Sequence, residues 1–214
     1  MRVEKWKRWL REIELDVIAL HHDRVLWRTL DAALSRRDES EFFRRHYMRL
    51  YVASAAMCVR RLVFSGTDSK SISLVRLLRE LADDPGHLTA ARHRQLFEDV
   101  AMGPDYGEKR FEAEWGDGHG HLAVDRVESD LASLERLAEA VKLVADRTIA
   151  HLDRRGIGDE RPTFAQLDAA IDEIGRIFVK YHELIDGSSI VHLEPVVQGD
   201  WKAPFRAAVF GADE

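Results

Sequence analysis

Apolar side chains recur every third or fourth residue from Trp6 to Leu34, through Trp9, Leu10, Ile13, Val17, Leu20, Trp27 and Leu30. That spacing places them on one face of a long helix, and the rest of the chain repeats the pattern. Asp38 and Glu41 have capping-box spacing, with Asp in place of Ser or Thr, and predict a second helix from about Glu39 to Phe64, stopped by Gly66. Its apolar residues, among them Phe42, Phe43, Leu50, Ala55, Val59 and Leu62, surround much of the circumference, so burial on several sides is expected, with His46 lining the core.

Thr67 to Ser71 is rich in capping groups and leads into a third helix over Ile72 to Leu81, closed by Asp84-Pro85-Gly86; Thr89 to Ala101 reads as a fourth helical segment. Six glycine or proline residues between Met102 and His121 predict an irregular surface loop near 102–121. The period returns from Val124 to Arg155, ending at Gly156-Ile157-Gly158. A last helix starts at the Thr163/Gln166 capping box behind Pro162 and stops at Gly187. The expectation is an all-α bundle of about five main helices in one domain over residues 1–187. Residues 188–214 would form an extended C-terminal tail that packs on the bundle, through Trp201 and Phe205, or on a partner chain.

Composition narrows the function classes. A chain of 214 residues, 45% hydrophobic, builds one core without needing two. Its net charge of −6 argues against broad nonspecific nucleic-acid binding, though not against a small basic site. The single cysteine, Cys58, lies in an apolar run and reads as a buried small hydrophobe. Charges at the N-terminus, and no apolar run near the ~18 residues a membrane span needs, point to a cytoplasmic protein without membrane partners.

One segment invites a chemical reading. In a helix, Arg147 and His151 lie one turn apart, offset by about 40°, and Arg154 nearly two turns below Arg147. Such a face suits a phosphate. Metal-free RNA cleavage needs a base for the ribose 2′-hydroxyl proton, an acid for the leaving oxygen, and a cation for the charged phosphorane. His151 has the pKa for proton transfer and Arg147 the donor fork for phosphate, while Arg154, Arg155 and Thr148 stand by to hold RNA. The bland alternative is that basic side chains simply complement the dipole at a helix C-terminus.

The segment Ala145-Asp146-Arg147-Thr148-Ile149-Ala150-His151-Leu152-Asp153-Arg154, with upstream Ser71 to Leu78, resembles the HEPN superfamily, most closely the branch related to phage abortive-infection protein AbiU. The resemblance covers roughly Trp6 to Asp186. It implies a helical bundle, often a homodimer, and in many members a metal-independent ribonuclease acting in phage defence or a toxin–antitoxin pair. The catalytic signature, arginine and histidine separated by four to six residues, maps onto Arg147 and His151, where three residues intervene. The resemblance also leaves room for a catalytically silent protein that binds RNA, a nucleotide, a cognate antitoxin or another partner protein.

Other histidines read as structural. His21-His22-Asp23 diverge by about 100° per residue on a helix and suit a solvated or half-buried face better than a metal site. His119 and His121, near Asp117 and Asp125, read as a polar loop, and Asp68 and Lys70 as capping groups. No Gly-rich phosphate loop, Gly-x-Ser-x-Gly elbow or His-Glu-x-x-His motif is present, so no metal or cofactor is expected.

Overall fold

A computed structural model describes residues 2–36, 40–64, 71–149, 162–196 and 199–203, with the side chain of Thr148 excepted. Among these residues there are seven α-helices and no strand: α1 (Arg2–Leu34), α2 (Glu41–Val63), α3 (Leu74–Asp83), α4 (Ala90–Leu96), α5 (Pro104–Glu114), α6 (Val124–Val144) and α7 (Phe164–Asp186). The protein is an all-α bundle, with seven helices where about five were expected. The four long helices pack in a ring, α1 on α2, α2 on α6, α6 on α7 and α7 on α1, while α3 lies on α6 and α4 pairs with α5. Trp6, Leu10, Ile13, Leu62, Leu77, Phe111, Phe178 and Tyr181 are wholly enclosed in the shared core. No helix of the described residues is long and apolar enough to cross a membrane.

Both ends of α7 follow their sequence signals, whereas α3 starts two residues later than expected and α4 ends at Leu96, short of Ala101. Thr163 Oγ1 accepts from the Gln166 backbone N–H while the Gln166 side chain accepts from the Thr163 N–H, so α7 opens on a complete capping box. Gly187 closes it at φ +79°, a left-handed conformation that costs only glycine nothing. Ser73 and Thr89 cap α3 and α4 with their side-chain oxygens alone, which accept from the Arg76 and Arg92 backbone N–H groups. The N-cap of α2 is Ser40; Asp38, Gly66, Asp68, Lys70, the 156–158 glycine stop and Phe205 lie outside the described residues.

Two expectations are corrected. The stretch near 102–121 is not irregular throughout, because Pro104–Glu114 is helical. Gly103, Gly116, Gly118 and Gly120 flank that helix and do not interrupt it, and Pro104 stands at its first turn, where a missing N–H is harmless. The one internal glycine marks a close crossing: a Cβ at Gly107 would stand 2.9 Å from the His93 carbonyl oxygen and 2.8 Å from Phe97 Cδ2. At this crossing His93 Nδ1 donates to the Gly107 carbonyl at 2.8 Å. Ala favours a helix over Gly by ~1 kcal/mol, but forcing backbone apart costs ~1–3 kcal/mol, so Gly107→Ala is expected to lose about 1 kcal/mol in urea unfolding. Unchanged or increased stability would show that α4 and α5 do not meet here.

The second correction concerns α2. Only its C-terminal half is enclosed, at Tyr51, Ala55, Ala56, Cys58, Val59, Leu62 and Val63. Phe42 and Phe43 near its start are 83% and 50% exposed, and His46 faces solvent instead of the core. The reason is register: the end of α6 faces Val52 and Ala56 of α2 across a small cavity, and Arg60 pairs with Asp146 just beyond α6, all past these first turns. Cys58 is buried as expected, and burial pushes its thiol up to about 11, which suppresses thiolate chemistry. His21 is enclosed more fully than a half-buried face would be, whereas His22 is exposed.

Beyond α7 the chain returns to the bundle. Ile190 and Leu193 rest against the main core, and Trp201 against Leu30, Ala33 and Leu34 of α1.

Candidate functional site

The end of α6 departs from regular geometry. Val127, Leu134, Ala138, Val141 and Val144 hold one face of α6 in the core, and the backbone then widens into a π turn over Ala145–Ile149. Isolated π turns carry an extra residue per turn and occur disproportionately at functional sites. Here Ala145 is fully enclosed and Ile149 packs on the core, so the turn is anchored at both ends, while Asp146 and Arg147 between them reach the half-exposed rim.

Asp146 is held from two helices. Arg60 Nε in the last turn of α2 donates to Asp146 Oδ1 at 2.6 Å, and Lys142 Nζ lies 3.7 Å from Oδ2. Lys142 also stands 5.1 Å from the centre of the Phe64 ring. Arg60 and Lys142 thus both approach the Asp146 carboxylate, and Arg147 is its neighbour in the chain. A positive rim of this kind attracts phosphate, and half-exposed ion pairs of this type are worth only ~1 kcal/mol or less, so an incoming anion can replace Asp146 as a partner.

Of the residues singled out from sequence, the structure places Arg147 in this turn. The Thr148 side chain, His151, Arg154 and Arg155 lie outside the described residues. Arg60 and Lys142 were not singled out. Lys142 was accessible in principle, four residues before Asp146 on a helix; Arg60 was not, because 86 residues separate it from its partner. At the other noted histidines, Asp117 Oδ1 accepts from the backbone N–H groups of His119 and His121, which closes a tight turn before α6.

A small cavity of about 60 Å³ adjoins the end of α6, lined by Val52 and Ala56 of α2, Val141 and Val144 of α6, and Pro162, Thr163, Phe164 and Leu167 at the start of α7. It joins the base of the π turn to the first turn of α7.

Comparison with known proteins agrees with the bundle. A family model described as AbiU2, of the HEPN class, matches residues 3–203, a span that takes in all seven helices and Trp201. No curated protein and no solved structure shows a significant match to the chain. On the strength of a match over nearly its whole length, the chain belongs to the AbiU2 family of HEPN proteins.

Proposed function

We propose that this HEPN protein serves phage defence, as an abortive-infection or toxin-type ribonuclease that cuts RNA without a metal ion. The observation that carries the reading is the π turn of Ala145–Ile149, which holds Arg147 next to Asp146, the carboxylate that Arg60 and Lys142 approach. In the reaction, the ribose 2′-oxygen loses its proton to a base and attacks phosphorus, and the 5′-oxygen leaves with a proton from an acid, giving a cyclic phosphate. Arg147 offsets the charge of the phosphorane, Arg154 and Arg155 grip flanking phosphates, and the Thr148 hydroxyl is a further donor. One imidazole cannot be base and acid in the same instant. A homodimer that brings two copies of His151 together would supply both.

The expected result is cleavage of total RNA in the presence of a chelator, lowered at least about 100-fold by His151→Ala and by Arg147→Ala, on the usual scale of general acid–base groups. Cleavage that persists at the wild-type rate in both variants sinks the assignment of this site. A second reading, a catalytically silent protein that binds RNA, a cognate antitoxin or another partner through the same rim, is favoured by one observation: only three residues separate Arg147 from His151. It expects no cleavage by the wild type.

A further inference from the structure

Five aromatic rings from three helices form a stacked cluster, three of them within 14° of parallel and Tyr47 tilted by 30° to Trp27. Trp27 of α1 stacks on Tyr51 at 5.6 Å between centroids and 11° between planes, and on Phe164, the first residue of α7, at 5.7 Å and 14°. Tyr51 and Phe164 are themselves within 9° of parallel, Trp27 also meets Tyr47, and Tyr47 meets Phe43 at 6.3 Å and 15°. The middle of the set is enclosed, with Trp27 and Tyr51 each 5% exposed, but its ends are open: Phe43 is 50% and Phe164 42% exposed. Packing alone does not require large apolar rings to end in water on two sides.

The surrounding charge identifies what such rings suit. Within a chain of net charge −6, α2 carries five arginines and one histidine against a single acid of its own, Glu41, although Arg44 pairs with Asp31 of α1, Arg61 with Asp16 of α1 and Arg60 with Asp146. Arg45, His46 and Arg49 are exposed beside Phe42 and Phe43. Among the described residues Arg45 pairs with Glu41 one turn away, an exchangeable surface contact worth a few tenths of a kcal/mol. A second copy of the chain docked two-fold on this face would set the same arginines against one another, since such an interface is self-complementary. A polyanion neutralises them, and one whose bases are free to stack fits the rings as well. Phe164 also lines the cavity that reaches Val144 at the base of the Arg147 turn, so rings and turn border one region.

We infer that Phe43 and Phe164 form the open ends of a stacking platform for unpaired RNA bases, with Arg45 and Arg49 on the phosphates, which makes single-stranded RNA the substrate class of the proposed ribonuclease site. The inference deepens that reading and rests on it for the bound strand being a substrate, but it concerns binding and is tested without cleavage. A duplex hides its base faces, so the platform discriminates against it.

The experiment titrates the full-length protein with a fluorescent 2′-O-methyl single strand of about 12 nucleotides, within the usual site size, and with the blunt duplex of the same sequence. The methylated sugar lacks the 2′-hydroxyl nucleophile, so affinity is read whether or not the protein is a nuclease. The single strand is expected to bind more tightly than the duplex. Phe43→Ala should weaken it about tenfold and Phe43→Tyr, which keeps the ring, should restore it, with melting temperatures close to the wild type because Phe43 is half exposed. Three outcomes overturn the inference: neither probe binds, Phe43→Ala binds the single strand like wild type, or Phe43→Ala splits a dimer in sedimentation while leaving RNA affinity unchanged. Binding that depends on Phe43 in a protein that cuts no RNA upholds the platform and overturns the ribonuclease reading; cleavage of RNA with Phe43 indifferent does the reverse.

Discussion

Replacing Asp130 with alanine is expected to cost about 3 kcal/mol in urea unfolding, a large part of the ~5–15 kcal/mol that holds a domain together. The carboxylate of α6, 8% exposed, accepts from Lys180 Nζ and Arg176 Nη2 at 2.7 Å each and from the Tyr181 hydroxyl at 3.0 Å, all on α7. Burial alone would raise its pKa, but the hydrogen bonds from Lys180 and Arg176 prevail and hold it below the usual carboxylate range. Truncation leaves a wholly enclosed Tyr181 hydroxyl without its partner and a Lys180 ammonium, 18% exposed in its side chain, without its counter-charge. Arg176, half exposed and also paired with Glu173, recovers most of its loss in water, which keeps the figure at the low end for broken buried pairs. Surface pairs such as Arg79–Glu135 should cost under ~1 kcal/mol when broken. An Asp130→Ala loss no larger than theirs would mean that the α6–α7 seam does not depend on this carboxylate.

The second large effect is acid sensitivity centred on His21. Burial, followed by the positive charge of Arg24, lowers its pKa to about 4, against the opposing pull of Asp172 and Glu194; His22 adds slightly to the lowering. Arg24 Nη2 lies 3.2 Å from His21 Nδ1, and an arginine can only donate, so the neutral ring carries its proton on Nε2. That nitrogen sits against α7, 2.7 Å from where a Cβ on Gly175 would stand. Between pH 6.5 and 4 the unfolded chain takes up a proton that the folded one refuses. The stabilisation is therefore complete above pH 6.5 and lost as the pH falls toward 4, by up to about 3 kcal/mol. Burial shifts His93 the same way, so a variant is needed to separate them. His21→Asn keeps an acceptor for Arg24, and its stability should fall less steeply than wild type across this window. Equal slopes would show that His21 does not carry the effect. The Asp130 contribution, with its pKa depressed, is lost only at lower pH, below the usual carboxylate value.

Legibility in the sequence followed punctuation. The start and end of α7 were plain because Pro162, the Thr163/Gln166 pair and Gly187 each act within a few residues of the backbone they control. The helix α5 was missed because glycine reports local freedom and not the partner that removes it: Gly107 is small for the sake of α4, eleven or more residues back. Periodicity showed that α2 is apolar nearly all round, but not where α6 would stop covering it, so Phe42 and Phe43 were assigned to the core. At the candidate site the sequence pointed to Arg147 and the close of a helix. The Arg60–Asp146 pair joins distant segments, and the π turn has no residue signature between Ala145 and Ile149, since it arises from anchoring Ala145 and Ile149 at once.

That turn makes chain length a determinant of the site. An α-helix that closes on five residues where four would serve holds one residue in surplus. Deleting any one residue between Ala145 and Ile149 would remove that surplus and let the hydrogen bonds fall back to the regular α pattern, closing the bulge that carries Asp146 and Arg147 to the rim. Substitutions here change which groups stand on the rim, whereas loss of a single codon would remove the widening itself.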